Sequence, residues 1–263
     1  MDQLEYTTLR LKWELPCCYV QIYRPQAGNT ISDMLIREMN EVLTRISDSE
    51  ATILVLEGLP DVFCYGADFQ SIQEKSDSQN SAASDPNEMF DVCYKLAFSD
   101  FLSICRLRGK VNAGGVGFAC ACDIVVAERN VLISLSEMLF GLIPAVIFPF
   151  IRRRICFQKA NYLTITTKVI DSDDAHRFGI VDEVAEDSDI LIRKLLTRMR
   201  FITKKTIRRY KVFQCNLSMI QEEHKIASLK TNLDVFSDRE NINGIKRFTE
   251  TGLFPWEEDL INS

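Results

Sequence analysis

The stretch VFCYGADF at residues 62–69 carries the features that decide the fold. An apolar run typical of a strand ends at the small-residue turn Gly66-Ala67-Asp68, and a helix can begin directly after it. Because glycine has no Cβ, its backbone can approach a ligand closely, and free N–H groups at a helix start point toward negative charge. The stretch predicts a strand–turn–helix unit whose turn can bind an anionic atom.

A second glycine-rich turn occurs in GKVNAGGVGF at residues 109–118, before an apolar helix around residues 119–122. Two such turns can aim two N–H donors at one oxygen, which is an oxyanion hole. The glycines do not follow the G-x-G-x-x-G order and no G-K-[ST] is present, so neither a dinucleotide fold nor a P-loop is supported. Tight helix–strand packing explains the glycines equally well on composition alone.

A carboxylate stands inside the apolar run SLSEMLFGLIP at residues 134–144. The neighbours of Glu137 deprive it of water, which disfavours the charged form and should raise its pKa toward neutrality. A carboxyl group with such a pKa is suited to moving protons near pH 7. The alternative is that Glu137 caps a helix or faces solvent.

Outward from these segments, strand and helix patterns alternate up to about residue 187, and the chain is mostly helical from Ser188 on. We predict strands at residues 17–24, 51–57, 101–107, 123–127 and 131–135, and a helix capped by Ser32 or Asp33. The polar stretch 71–87 is interpreted as a mobile loop. The pattern indicates an α/β body, residues 1–187, with an appended helical region, residues 188–263.

Composition narrows the class of protein further. The net charge of −6 argues against nucleic-acid binding, and no run approaches the ~20 apolar residues of a membrane span. Nine cysteines without a C-x-x-C pair indicate free thiols in a reducing compartment, and the two histidines lie too far from them in sequence for a zinc site. No secretory signal is visible, so we expect a soluble, cytoplasmic protein without metal.

Five motifs together carry a family resemblance. F-x-x-G-A-D, A-G-G before C-D-I-V-V-A, and S-E-x-x-x-G-L-x-P occur in crotonase order and spacing, and residues 24–31 and 174–184 match too. The chain resembles the enoyl-CoA hydratase/isomerase (crotonase) superfamily over essentially its whole length. The resemblance implies an α/β crotonase (ClpP-like) spiral of ββα units, a C-terminal region for trimerisation and site closure, a homo-trimer or hexamer, and an acyl thioester substrate.

The resemblance also implies roles for individual residues. The oxyanion donors would be the N–H groups of Ala67 and Gly114, and Glu137 would be one of the two catalytic glutamates of hydratases. Further expected contacts are Tyr65, Gly66, Asp68, Lys110, Asn112 and Gly115 to substrate, and Arg24 and Gln26 to the pantetheine arm. Lys110, Asn112 and Tyr65 are candidates for binding a distal carboxylate, although surface or packing roles explain them as well. Asp68 is also expected to cap the following helix, and Cys64 to be a buried hydrophobe.

Two departures from the family pattern are informative. The position of the second hydratase glutamate is Gly117, which leaves one general acid/base and puts routine enoyl-CoA hydration in doubt. Gln70 stands where CoA-binding members often have lysine, which favours a phosphopantetheine arm on an acyl carrier protein over CoA. No other cofactor is expected.

Within the family, the chain is most similar to the polyketide-biosynthesis homologues of β-branching cassettes. These dehydrate 3-hydroxy-3-methylglutaryl on an acyl carrier protein to the 3-methylglutaconyl thioester, and a partner decarboxylase acts next. Glu137 favours dehydration, because expelling hydroxide needs an acid. The alternatives are a decarboxylase, an enoyl thioester isomerase or hydratase of the same fold, and an inactive scaffold that binds acyl carriers.

A basic run at residues 193–211 holds nine Lys/Arg and no acidic residue. We interpret it as a solvated helical face. The alternative is a docking surface for an acidic carrier protein, to which Arg152, Arg153 and Arg154 could add.

Overall fold

The computed structural model describes residues 5–77, 85–218 and 220–257. The strands are β1 (Leu9–Glu14), β2 (Cys17–Ile22), β3 (Ile53–Glu57), β4 (Val62–Cys64), β5 (Leu102–Leu107), β6 (Lys110–Asn112), β7 (Ile124–Glu128), β8 (Leu132–Ser134), β9 (Ile170–Asp171) and β10 (Glu183–Ala185). The helices are α1 (Asp33–Asp48), α2 (Phe69–Asp77), α3 (Pro86–Phe98), α4 (Gly114–Ala121), α5 (Phe148–Arg154), α6 (Phe157–Thr166), α7 (Ser172–Phe178), α8 (Ser188–Met199), α9 (Lys204–Leu217), α10 (Glu222–Ser237) and α11 (Arg239–Thr251). Two 3-10 turns lie at Pro25–Ala27 and Glu137–Phe140.

The strands form two sheets, and from β3 to β8 consecutive strands alternate between them. The larger sheet has the order β1-β2-β3-β5-β7-β10, and the smaller has the order β4-β6-β8-β9. The pairs β1–β2 and β8–β9 are antiparallel, and the other pairs are parallel. Three consecutive pairs of strands follow the same pattern, namely β3 with β4, β5 with β6, and β7 with β8. In each pair the first strand joins the larger sheet, the second joins the smaller sheet, and a helix follows. The chain therefore winds as a spiral of ββα units. This confirms the predicted fold.

Burial on both faces explains why the strands of the larger sheet have continuous apolar sequences. Residues 53–56 of β3 are all buried, because helices cover the parallel strands on both faces. Helix α4 has the sequence GGVGFACA and is buried from its second residue to its last. Such a helix can only lie inside the molecule, and it directs its N-terminus at the ends of β4 and β6.

The prediction of a loop over residues 71–87 was wrong for the part that the structure describes. Residues 71–77 belong to α2, Asp85 caps α3, and residues 78–84 lie outside the described residues. Two contacts anchor α2 despite its polar sequence. Asp68 Oδ1 accepts the Ser71 N–H at 3.3 Å, and the Phe69 ring meets Phe140 with centroids 5.0 Å apart. Strand β1, which the sequence analysis did not identify, pairs with β2 along its whole length.

The C-terminal region is helical, as predicted, and its helices pack in different places. Helix α8 covers the larger sheet, where Ile192 joins Ile53 and Val55 in a buried cluster. Helix α9 packs on α3, and α10 packs on α3 and α11. Helix α11 returns to α2 and the 3-10 turn at Glu137–Phe140. None of the helices in the described segments is long and apolar enough to cross a membrane.

Several cations of the basic run stabilise the fold itself. Lys211 is 1% exposed and donates to the Ala97 carbonyl and Asp123. Lys204 donates to carbonyl oxygens at the C-terminal end of α1, and Arg208 pairs with Asp100 at 2.6 Å. Helix α1 has 16 residues, and its N-terminal end, not the end that Lys204 contacts, lies at the cavity described below. The two ends of α1 are roughly 24 Å apart. The interpretation of a solvated face was therefore wrong for Lys211, which is buried and bonded to α3 and Asp123, and the carrier-docking alternative gains no support.

Candidate active site

Residues from distant parts of the sequence meet at one cavity of about 1350 Å³. Its wall combines the two glycine turns, the 3-10 turn at Glu137–Phe140, and side chains from α10 and α11. The predicted site residues on this wall are Gln26, Tyr65, Ala67, Asp68, Asn112, Gly114 and Glu137. The structure therefore brings together both candidate oxyanion turns and the candidate acid/base.

The first turn leaves one amide unused by the backbone. Gly66 has φ +88°, which favours glycine at this position. Residues Ile31 and Ala67 form a parallel bridge, in which the Ile31 N–H donates to the Gly66 carbonyl at 2.7 Å and the Asp68 N–H donates to Ile31 at 3.2 Å. Because the bridge uses only the residues that flank Ala67, the N–H of Ala67 points to the other side of the strand.

The second turn supplies a neighbouring amide. Ala113 has φ +48°, a strained value for a residue with a side chain, and its N–H donates to the Ser134 carbonyl at 3.0 Å. Gly114 begins α4, so its N–H has no acceptor within the helix. A Cβ built on Gly66 would lie 3.5 Å from the Gly114 nitrogen, so the two turns are in direct contact. The two candidate oxyanion donors therefore lie on adjoining turns.

Glu137 supplies a buried, unpaired carboxyl group beside these turns. Its Oε2 atom is fully enclosed and has no hydrogen-bond partner, although other atoms of the residue are partly accessible. Burial raises the pKa of Glu137 to about 7. A hydrogen bond from its own backbone N–H lowers the pKa, but this effect is weaker. The predicted rise toward neutrality is confirmed. The group can both accept and donate a proton near neutral pH.

Asp68 lies on the same wall and has a different environment. The Arg24 guanidinium donates to Asp68 Oδ2 at 2.9 Å and to the Thr30 carbonyl. Burial alone would raise the pKa of Asp68, but the bond from Arg24, the Ser71 amide and the Arg24 charge outweigh it and hold the pKa below its usual value. The predicted capping role of Asp68 is confirmed. Arg24, which we expected at the pantetheine arm, instead lies behind the turn as the partner of Asp68, off the described wall.

Two other predicted contacts, Lys110 and Gly115, have structural surroundings and lie off the described wall, as does Cys64 of the first turn. Lys110 is exposed and lies over the Tyr65 ring, 5.8 Å from its centroid, outside the cavity wall. A Cβ on Gly115 would lie 2.8 Å from the Cβ of Cys64, so this glycine permits close packing beneath the turn. Cys64 is fully buried, and burial raises the pKa of its thiol to about 12, which confirms its interpretation as a small hydrophobe.

Gly117 is packed against an apolar side chain that the sequence did not reveal. A Cβ on Gly117 would lie 2.2 Å from Cγ2 and 2.6 Å from Cβ of Ile147, which itself lines the cavity. The position of the second hydratase glutamate thus has neither a carboxylate nor room for one. Thirty residues separate the two positions, and no local pattern indicated the contact.

The C-terminal helices close the cavity through contacts that sequence reasoning also missed. Phe140 packs against Phe69, Phe248 and Phe254, with centroids 5.0, 5.1 and 5.7 Å away. Asn241 of α11 donates to the Gly141 carbonyl at 3.1 Å, directly after the turn that carries Glu137. Within the described residues, no group of three His, Cys, Asp or Glu side chains is placed to hold a metal.

Comparisons with known proteins agree with this geometry. A family model described as enoyl-CoA hydratase/isomerase matches residues 15–259. The bacillaene synthase dehydratase PksH of Bacillus subtilis (strain 168) is 44% identical over 258 residues, 98% of this chain and 100% of that protein. The enoyl-CoA hydratase ACTT6 of Alternaria alternata is 30% identical over 187 residues, 69% of this chain and 61% of that protein.

Solved structures extend the comparison to three dimensions. A polyketide biosynthesis enoyl-CoA hydratase (pksH) from Bacillus subtilis has a TM-score of 0.92 at 44% identity, covering 95% of this chain and 100% of that one. An enoyl-CoA hydratase from Bacillus halodurans has a TM-score of 0.84 at 14% identity, covering 91% and 99%, and supports the fold alone. The chain therefore belongs to the enoyl-CoA hydratase/isomerase family and is an enzyme of the hydro-lyase class with the crotonase fold.

Proposed function

We propose that this enzyme dehydrates 3-hydroxy-3-methylglutaryl, carried as a thioester on an acyl carrier protein, to the 3-methylglutaconyl thioester in polyketide β-branching. The observation that carries the proposal is the enclosed carboxyl of Glu137, which has no cationic partner among the described residues and a pKa of about 7, on the same cavity wall as the Ala67 and Gly114 amides. The 44% identity to the bacillaene synthase dehydratase supports the reaction class and the pathway type.

In the proposed mechanism, the thioester oxygen accepts the N–H groups of Ala67 and Gly114, which stabilise the negative charge of an enolate. The Glu137 carboxylate removes a proton from C2, and the electron pair of that C–H bond enters the enolate. When the carbonyl re-forms, the C3–O bond breaks, and the departing hydroxyl takes the proton from Glu137 and leaves as water. The carboxylate is regenerated, so one acid/base group suffices.

The charge of the cavity supports a carrier protein over CoA. Arg239 is the single cation among the described residues on the wall, which also has carboxylates at Asp33, Asp68, Asp85, Glu88, Glu137 and Asp234. CoA would bring several phosphate charges to this negative wall, whereas a pantetheine arm on a carrier has one phosphodiester. We therefore propose an acyl carrier protein as partner, with a decarboxylase of the same fold acting next.

We also propose a homo-trimer or hexamer, assembled through the C-terminal region. Tyr210, Phe213 and Leu217 recur at helical spacing on α9 and are 53%, 58% and 68% exposed. An exposed apolar stripe of this kind is typical of an interface. Size-exclusion chromatography with light scattering on the purified protein would test the proposal, and a monomer at micromolar concentration would contradict it.

The test of the reaction compares wild type with Glu137→Gln on two carrier-bound substrates. Wild type should convert the 3-hydroxy-3-methylglutaryl thioester with loss of water, and it should not decarboxylate the 3-methylglutaconyl thioester, as followed by intact-protein mass. Glu137→Gln should be slower by ~10²–10⁴ because it cannot accept the C2 proton. A variant within tenfold of wild type would refute the assignment of Glu137, and loss of CO2 would favour the decarboxylase alternative. A wild type without either reaction would favour the scaffold.

A further inference from the structure

Ser136 precedes Glu137 and lines the same cavity. Its hydroxyl group does not make the hydrogen bond that is usual for a serine in its position. It occupies the N-cap position of the 3-10 turn at Glu137–Phe140, yet its side chain makes no capping bond. Serine is favoured at N-caps because its oxygen normally accepts a backbone N–H of the first turn. Here the oxygen is bonded elsewhere, which leaves the amides at the start of this turn without their usual side-chain partner.

The partner of Ser136 is Asn112, whose amide group is fixed from both ends. Asn112 Oδ1 accepts the Ser134 hydroxyl at 2.8 Å. Asn112 Nδ2 donates to Ser136 Oγ at 2.8 Å and to the Tyr65 carbonyl at 3.2 Å. The Tyr65 carbonyl can only accept, so the amide atom that faces both it and Ser136 is Nδ2. Asn112, expected from sequence to bind a distal carboxylate, is thus occupied by bonds within the protein.

The direction of the Asn112 bond determines where the Ser136 proton can go. Since Ser136 Oγ accepts a hydrogen from Asn112, its own O–H must point away from that amide. Among the described residues, none accepts this proton. The oxygen is also a poor nucleophile, because the bond from Asn112 occupies one of its lone pairs. What Ser136 offers to the cavity is therefore a single oriented hydrogen-bond donor beside the Glu137 carboxyl.

We propose that Ser136 is a catalytic residue that donates its hydroxyl proton in a hydrogen bond to the C3 oxygen of the substrate, and that Asn112 and Ser134 are its positioning residues. The inference rests on the proposed dehydration. Gly117 supplies no second carboxylate and Ile147 fills that space, so Ser136 is the polar neighbour of Glu137 able to hold the leaving oxygen. Ser136 keeps its proton, the C3–O bond breaks, and Glu137 protonates the departing hydroxyl.

The inference separates two partial reactions. Loss of the C2 proton needs Glu137 and the amides, whereas loss of the C3 oxygen also needs Ser136. Ser136→Ala should therefore lower kcat for dehydration of the 3-hydroxy-3-methylglutaryl thioester about 10- to 100-fold, as expected for a bond to developing charge. Its C2 hydrogen–deuterium exchange with the 3-methylglutaryl thioester, which has no C3 hydroxyl, should stay within threefold of wild type. Ser136→Thr should restore part of the dehydration rate.

Asn112→Asp provides a second, independent variant that keeps Ser136. A carboxylate at this position can only accept, so the Ser136 hydroxyl would turn toward it and away from substrate. The same selective loss of dehydration is expected. Ser237→Ala is a matched control, because this cavity serine already donates to the Asp234 carbonyl at 3.1 Å, and both reactions should stay within twofold.

Two results would overturn the inference: dehydration by Ser136→Ala within threefold of wild type, or an equal loss of dehydration and exchange, which would mean a structural role. If Ser136→Ala fails to fold, the same two criteria apply to Asn112→Asp. Wild type that exchanges C2 hydrogen but never loses water would instead contradict the proposed function, so the two failures are distinguishable.

Discussion

Asp68 and Glu137 are two carboxyl groups on the wall of one cavity, and their pKa values are displaced in opposite directions. Both are removed from water. Asp68 meets the Arg24 guanidinium and the Ser71 amide, and its pKa falls below the usual value. Glu137 meets no partner at Oε2, and its pKa rises to about 7. The comparison teaches that burial alone does not determine the role of a carboxyl group, because the hydrogen-bond donors around it do.

The largest expected effect comes from removing the partner of Asp68. Arg24→Met should lower the free energy of unfolding by about 3–5 kcal/mol, because it leaves a mostly buried carboxylate without its cation. Urea denaturation at pH 7 measures the change. The double variant Arg24→Met/Asp68→Asn is the control and should recover much of the loss. A loss below about 1 kcal/mol in the single variant would show that Arg24 is not what distinguishes the two carboxyls.

The opposite experiment removes the charge of Glu137. Its folded pKa lies above the ordinary 4.5, so the folded state favours the protonated form, and this stability is present below pH 4.5 and is lost as the pH rises through about 7. Glu137→Gln should therefore be more stable than wild type by about 3 kcal/mol at pH 9, and similar to it near pH 4. Denaturation midpoints across this pH range would measure the difference. A constant difference at all pH values would contradict the unpaired state of Glu137.

The apolar side of the acid/base site can be tested at Gly117. Gly117→Ala should destabilise the protein by about 1–3 kcal/mol, because its Cβ would lie within 2.6 Å of two atoms of Ile147. Adding Ile147→Ala should cost less than the sum of the single changes, since the second change makes room for the first. Additive losses in thermal unfolding would mean that the two residues do not compete for space.

The smallest effect concerns the pH dependence of the reaction. Because Glu137 starts as a carboxylate, kcat/KM should rise about tenfold per pH unit below about 7 and level off above it. Asp68, ionised throughout this range, should contribute no second step. A profile measured from pH 5 to 9 that showed two ascending steps would mean that both carboxyls titrate in the site.

The environment of Glu137 could be predicted from sequence, whereas that of Asp68 could not be predicted in full. The apolar neighbours of Glu137 are adjacent in the chain, so its loss of hydration is a local property of the run at residues 134–144. The ion pair of Arg24 with Asp68 spans 44 residues and depends on how β2 and β4 are placed. Periodicity located most strands and α1. The turn at residues 66–68 predicted where α2 begins, but the polar composition of residues 71–77 concealed the rest of that helix, which Phe69 and the Asp68 cap stabilise.

The contact of Gly117 with Ile147 also constrains how such an enzyme can change over generations. A glutamate at position 117 would collide with Ile147, and a smaller residue at 147 alone would leave an empty space beside the reacting carbons. Either change alone is therefore expected to destabilise the protein, so a side chain at position 117 requires both changes together. The close contact of one glycine with one isoleucine thus couples two positions that lie thirty residues apart in the sequence.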